Sequence, residues 1–309
     1  PKPDAESSGG GGVSLVHMLT ELGGIECEAT ITRLEQNLFY LLSAAVAELH
    51  DYDWLNQHLL PNEKVSIRNI SNDYGVLVLS GPRSRDVLAK LTDSDLSNEA
   101  FRWMRAKTIK VSGISVRALR VSYVGELGWE LHHPIEKMEA LYDSLMEAGV
   151  EYGIANFGTY AMNSLRMEKA YKGWGSELTT EVTPIEAGLE RFVDFSKSFL
   201  GREAALSRKL LGVNTKLVYV SVKTSDSDCL GNEPVLGPES TVSGGNIIGV
   251  TTGGAYGHTV GQSLAFAYVQ PQYTEPGTKF DIRILGKNCP ATVLKDAVYD
   301  PDNLRLRDL

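Results

Sequence analysis

In the stretch SVRALRVSYVGELGWEL, residues 115–131, a phenol and a carboxylate flank the turn Gly125-Glu126-Leu127-Gly128. Read as a β-hairpin with that loop, Val124 pairs with Trp129 and Tyr123 with Glu130. Cross-strand partners share a face with Cβ atoms about 5 Å apart, so the phenol and the carboxylate stand side by side and can clamp a flat, hydrogen-bonding heterocycle. The same pattern also fits an ordinary cross-strand pair, with Trp129 turned the other way into the core. Glu28, in GGIECEATITR, lies on the polar side of an alternating strand, where a solvated glutamate is commonplace. Arg166, in SLRMEK, falls opposite Phe157, Ala161 and Leu165 on a helix, where a surface ion pair with Met162 along its stem would satisfy it. Tyr256, in TTGGAYGHT, sits in a glycine-rich loop that lets backbone approach a ligand closely, or that simply packs a tyrosine.

The elements that must position these groups follow from periodicity. Ile25, Cys27, Ala29 and Ile31 alternate with Glu26, Glu28, Thr30 and Thr32, and Phe39–Ala45 answers as a second strand, giving a hairpin with an acidic face. Residues 48–60 read as a helix, Val65–Ile70 and Gly75–Ser80 as strands, and Gly81-Pro82 as the opening of a helix carrying Val87, Leu88 and Leu91. Met138, Leu141, Tyr142, Leu145 and Met146 recur at helical spacing, with Gly149 as C-cap. A further helix carries Phe157, Ala161 and Leu165 and ends near Gly173. Thr183-Pro184-Ile185-Glu186 has capping-box spacing, which makes Glu186 a cap rather than a ligand, and Arg202 a charge at a helix start. After residue 214 the character changes to short strands split by Gly and Pro: Lys216–Lys223, Ile247–Thr252, Ser263–Val269, Phe280–Leu285 and Ala291–Leu294. That is the pattern of a small β-barrel or jelly roll. The expected organisation is a flexible tether over 1–12, an α+β region over 13–210 and a barrel domain over 211–309.

Composition narrows the function classes. The chain has 309 residues, 42% of them hydrophobic, and a net charge of −9 with Lys and Arg scattered among acidic neighbours. No basic stripe offers itself to a phosphate backbone, so nucleic acid is not an expected partner. No apolar run approaches the roughly 20 residues of a membrane span, and no membrane association is expected. Cys27, Cys229 and Cys289 are odd in number and far apart, which suits a reducing compartment, either a bacterial cytoplasm or a mitochondrial matrix. His132 and His133 are adjacent and point apart in a strand, so no metal is expected. No GxGxxG sits on a strand-to-helix turn, so no FAD site is expected on this chain.

The words SYVGELGWEL, NFGTYAMNSLRMEKAYKGWG over 156–175, TPIEAGLE over 183–190 and FLGREAAL over 199–206 resemble the folate-binding aminomethyltransferase family. Within it they lie nearer the C-terminal half of dimethylglycine and sarcosine dehydrogenases than the glycine-cleavage T-protein. The resemblance runs from about Val13 to Arg305. It implies a multi-domain α+β fold ending in a small barrel, with a segment that family members carry before the counterpart of VSLVHMLTELGGIE missing here. It implies tetrahydrofolate as cofactor, held by Tyr123 and Glu130, with Arg166 and Tyr256 as further folate-binding candidates. A carboxylate can accept two N–H bonds from the edge of an aminopyrimidinone. It also implies Glu28 as catalytic base, at a position where many members carry Asp. A carboxylate drawn partly out of water becomes a competent acceptor of an amine proton near neutrality.

The implied activity is capture of a methylene iminium or formaldehyde equivalent from an N-methylated glycine as 5,10-methylenetetrahydrofolate. The amine would be oxidised elsewhere, by a flavin-dependent dehydrogenase domain or subunit. Three other readings stay open: a T-protein acting on an aminomethyl-lipoyl carrier, a folate-dependent demethylase, and a non-catalytic regulatory module of the same fold.

Overall fold

A computed structural model of the chain describes residues 11–238 and 246–308. Two compact units divide it, the first within residues 1–16, 28–157 and 303–309 and the second within 17–27 and 158–302. The expected tether mostly lies outside the described residues, and its last two positions already belong to a strand.

The first unit is built on β1 (Gly11–Leu19), β2 (Ile25–Glu35), β3 (Leu38–Ser43), α1 (Glu48–Gln57), β4 (Tyr74–Ser80), α2 (Ser84–Ala89), β5 (Arg105–Val111), β6 (Ile114–Leu119), β7 (Gly128–Pro134) and α3 (Met138–Gly149). The division between units passes through β1 and β2. The strands form one sheet in the order β3-β2-β1-β5-β6-β7-β4. Tyr40 of β3 and Tyr74 of β4, from opposite ends of that order, bring their rings to 6.4 Å, so the sheet curls until its two edges meet.

One face of β4, β6 and β7 is apolar. Leu79, Val116, Ala118, Trp129 and Leu131 are buried against Val87 and Leu88 of α2 and Leu141 and Leu145 of α3. The period of two sends the neighbouring residues to the other face, where Arg117 pairs with His132 and Leu119 with Glu130. Fully burying each large apolar side chain contributes about 1.5–3 kcal/mol, so the helix-covered face holds the hairpin in register and presents the polar face. Trp129 is in the core, as its alternation requires.

The register of that hairpin differs from the sequence-derived one. Leu119, not Tyr123, lies opposite Glu130. The connection therefore runs from Arg120 to Leu127, and Tyr123 is a loop residue. Arg120 is the physical reason. Its backbone stays bonded to Arg105 and Met104, and its buried guanidinium donates to the carbonyl of Phe101 at 2.6 Å. With Arg120 fixed on the β5 side, the chain leaves the ladder before Tyr123 can pair.

Three further expectations in this unit change. Residues 65–70 belong to no strand or ladder, and Val65 is exposed. The helix after Gly81-Pro82 begins at Ser84, whose N–H bonds the Gly81 carbonyl. Gly149 is not a left-handed cap: its φ is −87°, and the left-handed residue is Gly153 at φ 70°. Gly149 is glycine because a Cβ there would lie 2.6 Å from Ile154.

The second unit contains α4 (Thr159–Glu168), α5 (Arg202–Leu211), β8 (Lys216–Val222), β9 (Pro234–Leu236), β10 (Ile247–Gly257), β11 (Gln262–Val269), β12 (Lys279–Ile284) and β13 (Lys287–Val293). The six strands close into a barrel, β10-β11-β8-β13-β12-β9, around Val218, Val220, Val235, Ala265, Ala267, Phe280 and Ile282. The barrel was legible after residue 214; β9, only three residues long, was not. The α4 helix stops at Glu168 rather than near Gly173. Its buried side carries Ser164, Arg166, Met167 and Glu168, whereas Phe157 and Ala161 are exposed, so the face read from the sequence is the wrong one. Thr183–Glu186 forms a single turn in which the Glu186 carboxylate accepts the Thr183 N–H at 2.7 Å, the capping-box bond the spacing predicts.

A last short helix, α6 (Leu304–Arg307), belongs to the first unit. There the Arg307 carbonyl accepts from Arg120 at 2.8 Å, and Arg85 pairs with Asp308.

Candidate functional site

Glu130 stands on the polar face of β7, its side chain 29% exposed. Directly opposite on β4 is Val78, 51% exposed, and two residues on Val76 faces His132. An open apolar strip therefore borders a half-buried carboxylate. Tyr123, on the connection between β6 and β7, is also partly exposed. Glu28 is half-buried on β2.

Behind Glu130 the face is closed and polar. The Glu130 Oε2 lies 3.2 Å from His132 Nε2, and the His132 Nδ1 lies 3.1 Å from the Tyr40 hydroxyl. His132 is fully buried and Tyr40 nearly so. Over the Tyr40 ring, at 4.1 Å from its centroid, sits the Arg117 guanidinium, which also approaches the Tyr74 ring at 5.5 Å. Burial, only partly offset by Arg117, raises the Tyr40 phenol above its ordinary range and keeps it protonated. His133, on the opposite face, bonds the Leu131 carbonyl instead. The two histidines point apart as alternation requires.

In the second unit Arg166 is the centre of a buried network rather than a surface cation. Its Nη1 donates to Glu177 Oε2 at 2.8 Å and to the Tyr171 carbonyl, and its Nε to Asn163 Oδ1. The Glu177 carboxylate also accepts from the Gly173 N–H and the Thr252 hydroxyl. These bonds tie α4, the turn over 173–177 and β10 together. Tyr256 lies on β10, opposite Ser263, and not in a loop. Its carbonyl accepts from Ser164 Oγ at 2.6 Å, while its half-exposed ring meets His258 edge to face at 5.1 Å.

The five candidates thus fall in two groups, Glu28, Tyr123 and Glu130 in the first unit and Arg166 and Tyr256 in the second. Among the described residues, no group of three His, Cys, Asp or Glu side chains is placed to hold a metal.

The GCVT N-terminal domain matches residues 4–197, and the glycine cleavage T-protein C-terminal barrel domain matches 216–300. The chain belongs to the glycine-cleavage T-protein family. Human mitochondrial dimethylglycine dehydrogenase is 42% identical over 302 residues, covering 96% of this chain but 34% of that protein. An aminomethyltransferase from Caldanaerobacter subterraneus is 30% identical over 286 residues, 91% of this chain and 73% of the other. The crystal structure of glycine cleavage system aminomethyltransferase T from Bartonella henselae superposes with a TM-score of 0.80 at 25% identity, over 94% of this chain and 76% of that one. The chain spans about a third of the length of the dehydrogenase it matches.

The family is one of folate-dependent aminomethyltransferases, and its fold, α+β ending in a barrel, is the one seen here. Sequence reasoning missed Tyr40, Arg117, His132 and Glu177. His132 carried a local signal, since it lies two residues from Glu130 and so shares its face. Tyr40 carried none, because it reaches His132 only through the curl of the sheet. Glu177 carried none either, because its partner comes from α4.

Proposed function

We propose that this chain is a tetrahydrofolate-binding one-carbon module that captures a methylene iminium, or its formaldehyde equivalent, derived from an N-methylated glycine. The observation that carries the reading is the 42% identity with dimethylglycine dehydrogenase over 96% of the chain. The donor-set chemistry supports it: Glu130 is a half-buried carboxylate with an outward edge beside an open apolar strip, the pairing that the flat, N–H-rich head of a folate requires. Tyr123 lies on the adjoining connection and supplies a second hydrogen-bonding group for the same head.

Bound tetrahydrofolate, its head held by Glu130 and Tyr123, would supply the two nitrogens, N5 and N10, that take up the one-carbon unit as 5,10-methylenetetrahydrofolate and free the amine. The chain's own residues contribute position and a proton acceptor. Holding the reactants together is worth about 7–11 kcal/mol at best. Glu28 is the base that takes up the proton a folate N–H loses when it bonds the carbon. Arg166, engaged by Glu177, acts within the second unit by fixing α4 against β10. Amine oxidation takes place on a flavin-dependent dehydrogenase domain or subunit acting with this module.

The test is thermal unfolding with and without tetrahydrofolate. A ligand that binds only the native state adds about 2.7 kcal/mol at a hundred times its Kd, so the midpoint rises. An unchanged midpoint at ligand concentrations far above micromolar removes folate from the function.

A further inference from the structure

The Tyr40, His132 and Glu130 contacts run in one line from a buried phenol to a half-exposed carboxylate, entirely within the first unit. An ionised carboxylate accepts hydrogen bonds and cannot donate them, so the His132 nitrogen facing Glu130, Nε2, must carry a proton. In a neutral imidazole Nδ1 is then an acceptor, and the Tyr40 hydroxyl is the donor placed to meet it. Two elements meet in this line, β3 carrying Tyr40 and β7 carrying His132 and Glu130, the curled sheet closing one on the other. We propose that Tyr40 and His132 are positioning residues: Tyr40 locks His132 in the Nε2–H tautomer, and His132 holds the Glu130 carboxylate with one oxygen engaged and the other turned to the ligand.

The surroundings favour this assignment over a passive core contact. His132 is fully buried and spends both nitrogens on this line. Directly across the ladder from His132 is Arg117 of β6, whose guanidinium also approaches the Tyr74 ring of β4. Arg117 stacks on the Tyr40 ring, 4.1 Å from its centroid. Burial holds the Tyr40 proton in place, so the donor persists across the physiological range. The arrangement follows the general logic by which an oriented imidazole is fixed by the bond at its second nitrogen.

The proposal rests on the folate reading for its ligand but not for its geometry, and the experiment separates the two. Side-chain ¹⁵N spectra of the unliganded protein report the His132 tautomer directly, and tetrahydrofolate titration reports affinity. The expected spectrum is a single Nε2–H tautomer in the native chain and a mixture in Tyr40→Phe. Folate affinity should fall about three- to tenfold in Tyr40→Phe, the loss of one neutral hydrogen bond. It should fall further in His132→Leu and return to within about threefold of the native value in His132→Gln, whose amide offers a donor near Nε2. A merely structural role would lower all three by their loss of stability, without rescue by glutamine. An Nδ1–H tautomer in the native chain overturns the proposal, as does native affinity in Tyr40→Phe and His132→Leu. A native Nε2–H tautomer with no folate binding leaves the positioning of Glu130 standing and removes folate as its ligand. Should His132→Leu unfold, Tyr40→Phe, which loses a single hydroxyl, carries both readouts alone.

Discussion

Glu130 and Glu28 are carboxylates on strands of one sheet with different expected parts, and substitution separates them. Glu130→Gln should weaken tetrahydrofolate binding more than Tyr123→Phe, because a charge-assisted acceptor is worth roughly 1.5–3 kcal/mol against about 1 for a neutral hydroxyl. Equal and negligible losses in a fluorescence-quenching titration would make that face scaffold only. Glu28→Gln should bind folate as before yet slow formation of 5,10-methylenetetrahydrofolate by about 10²- to 10⁴-fold, the usual contribution of a general base. Formaldehyde condenses with tetrahydrofolate unaided, so the comparison is made on the rate above background, with a flavin domain and an N-methylated glycine supplied. Native rates in Glu28→Gln would take the residue out of the mechanism. Arg166 belongs to another class, since its partner Glu177 has no exposure at all. Glu177→Ala strands a buried guanidinium and should cost roughly 3–5 kcal/mol in urea unfolding, whereas an exposed pair would cost under about 1.

At the scale of elements, α3 shows how a glycine can be right for a reason other than its apparent one. Gly149 ends the helix with ordinary helical dihedrals, and what excludes a side chain there is Ile154 at 2.6 Å from any Cβ. The backbone turn is made by Gly153, which has open space around it. Gly149→Ala should therefore destabilise by about 1–3 kcal/mol through overpacking. Gly153→Asn should cost much less, because asparagine tolerates the left-handed region and meets no neighbour. Chemical denaturation of the two variants checks the assignment, and the reverse order would return the cap to Gly149. The β6–β7 connection makes the same point for strands. Its alternation continues through Val121 and Tyr123, but Arg120 finds acceptors at Phe101 and Arg307, and satisfying a buried cation outweighs adding cross-strand pairs worth about 0.2–1 kcal/mol each.

For the whole molecule, stability should fall on the alkaline side. Burial, with Glu233 and Asp228 adding to it, pushes the Cys229 thiol up from 9.0 to about 12, and burial also raises the phenols of Tyr219 and Tyr268. A group whose folded pKa is raised holds its proton when folded and loses it when unfolded, so rising pH favours the unfolded state. The contribution is complete below about pH 9 and is lost progressively above it. Arg120, pushed down to about 10 by burial and by the Arg85 charge, acts in the opposite sense above that value, against the Cys229 thiol and the buried phenols, Tyr40 among them. The thermal midpoint should thus be level to about pH 9 and decline by pH 11. A midpoint unchanged across that range would contradict the burial of the thiol and the phenols.

Local chemistry by itself determined much of this protein. Period-two alternation gave β2 with β3, short runs split by Gly and Pro gave the strands β8, β10, β11, β12 and β13, helical spacing gave α3, and Thr183-Pro184-Ile185-Glu186 announced its own cap. The family words carried the fold class, because they record packing that local pattern does not express. Tertiary structure alone decided which side of α4 is buried, where β6 stops and what stands behind Glu130. Each of these turns on a polar group meeting a partner remote in sequence: Arg166 with Glu177, Arg120 with Arg307, His132 with Tyr40. Periodicity assumes that charged and polar residues face water. When a buried cation or imidazole finds fixed acceptors and donors across the fold, its burial becomes favourable, and the local pattern no longer predicts where it points.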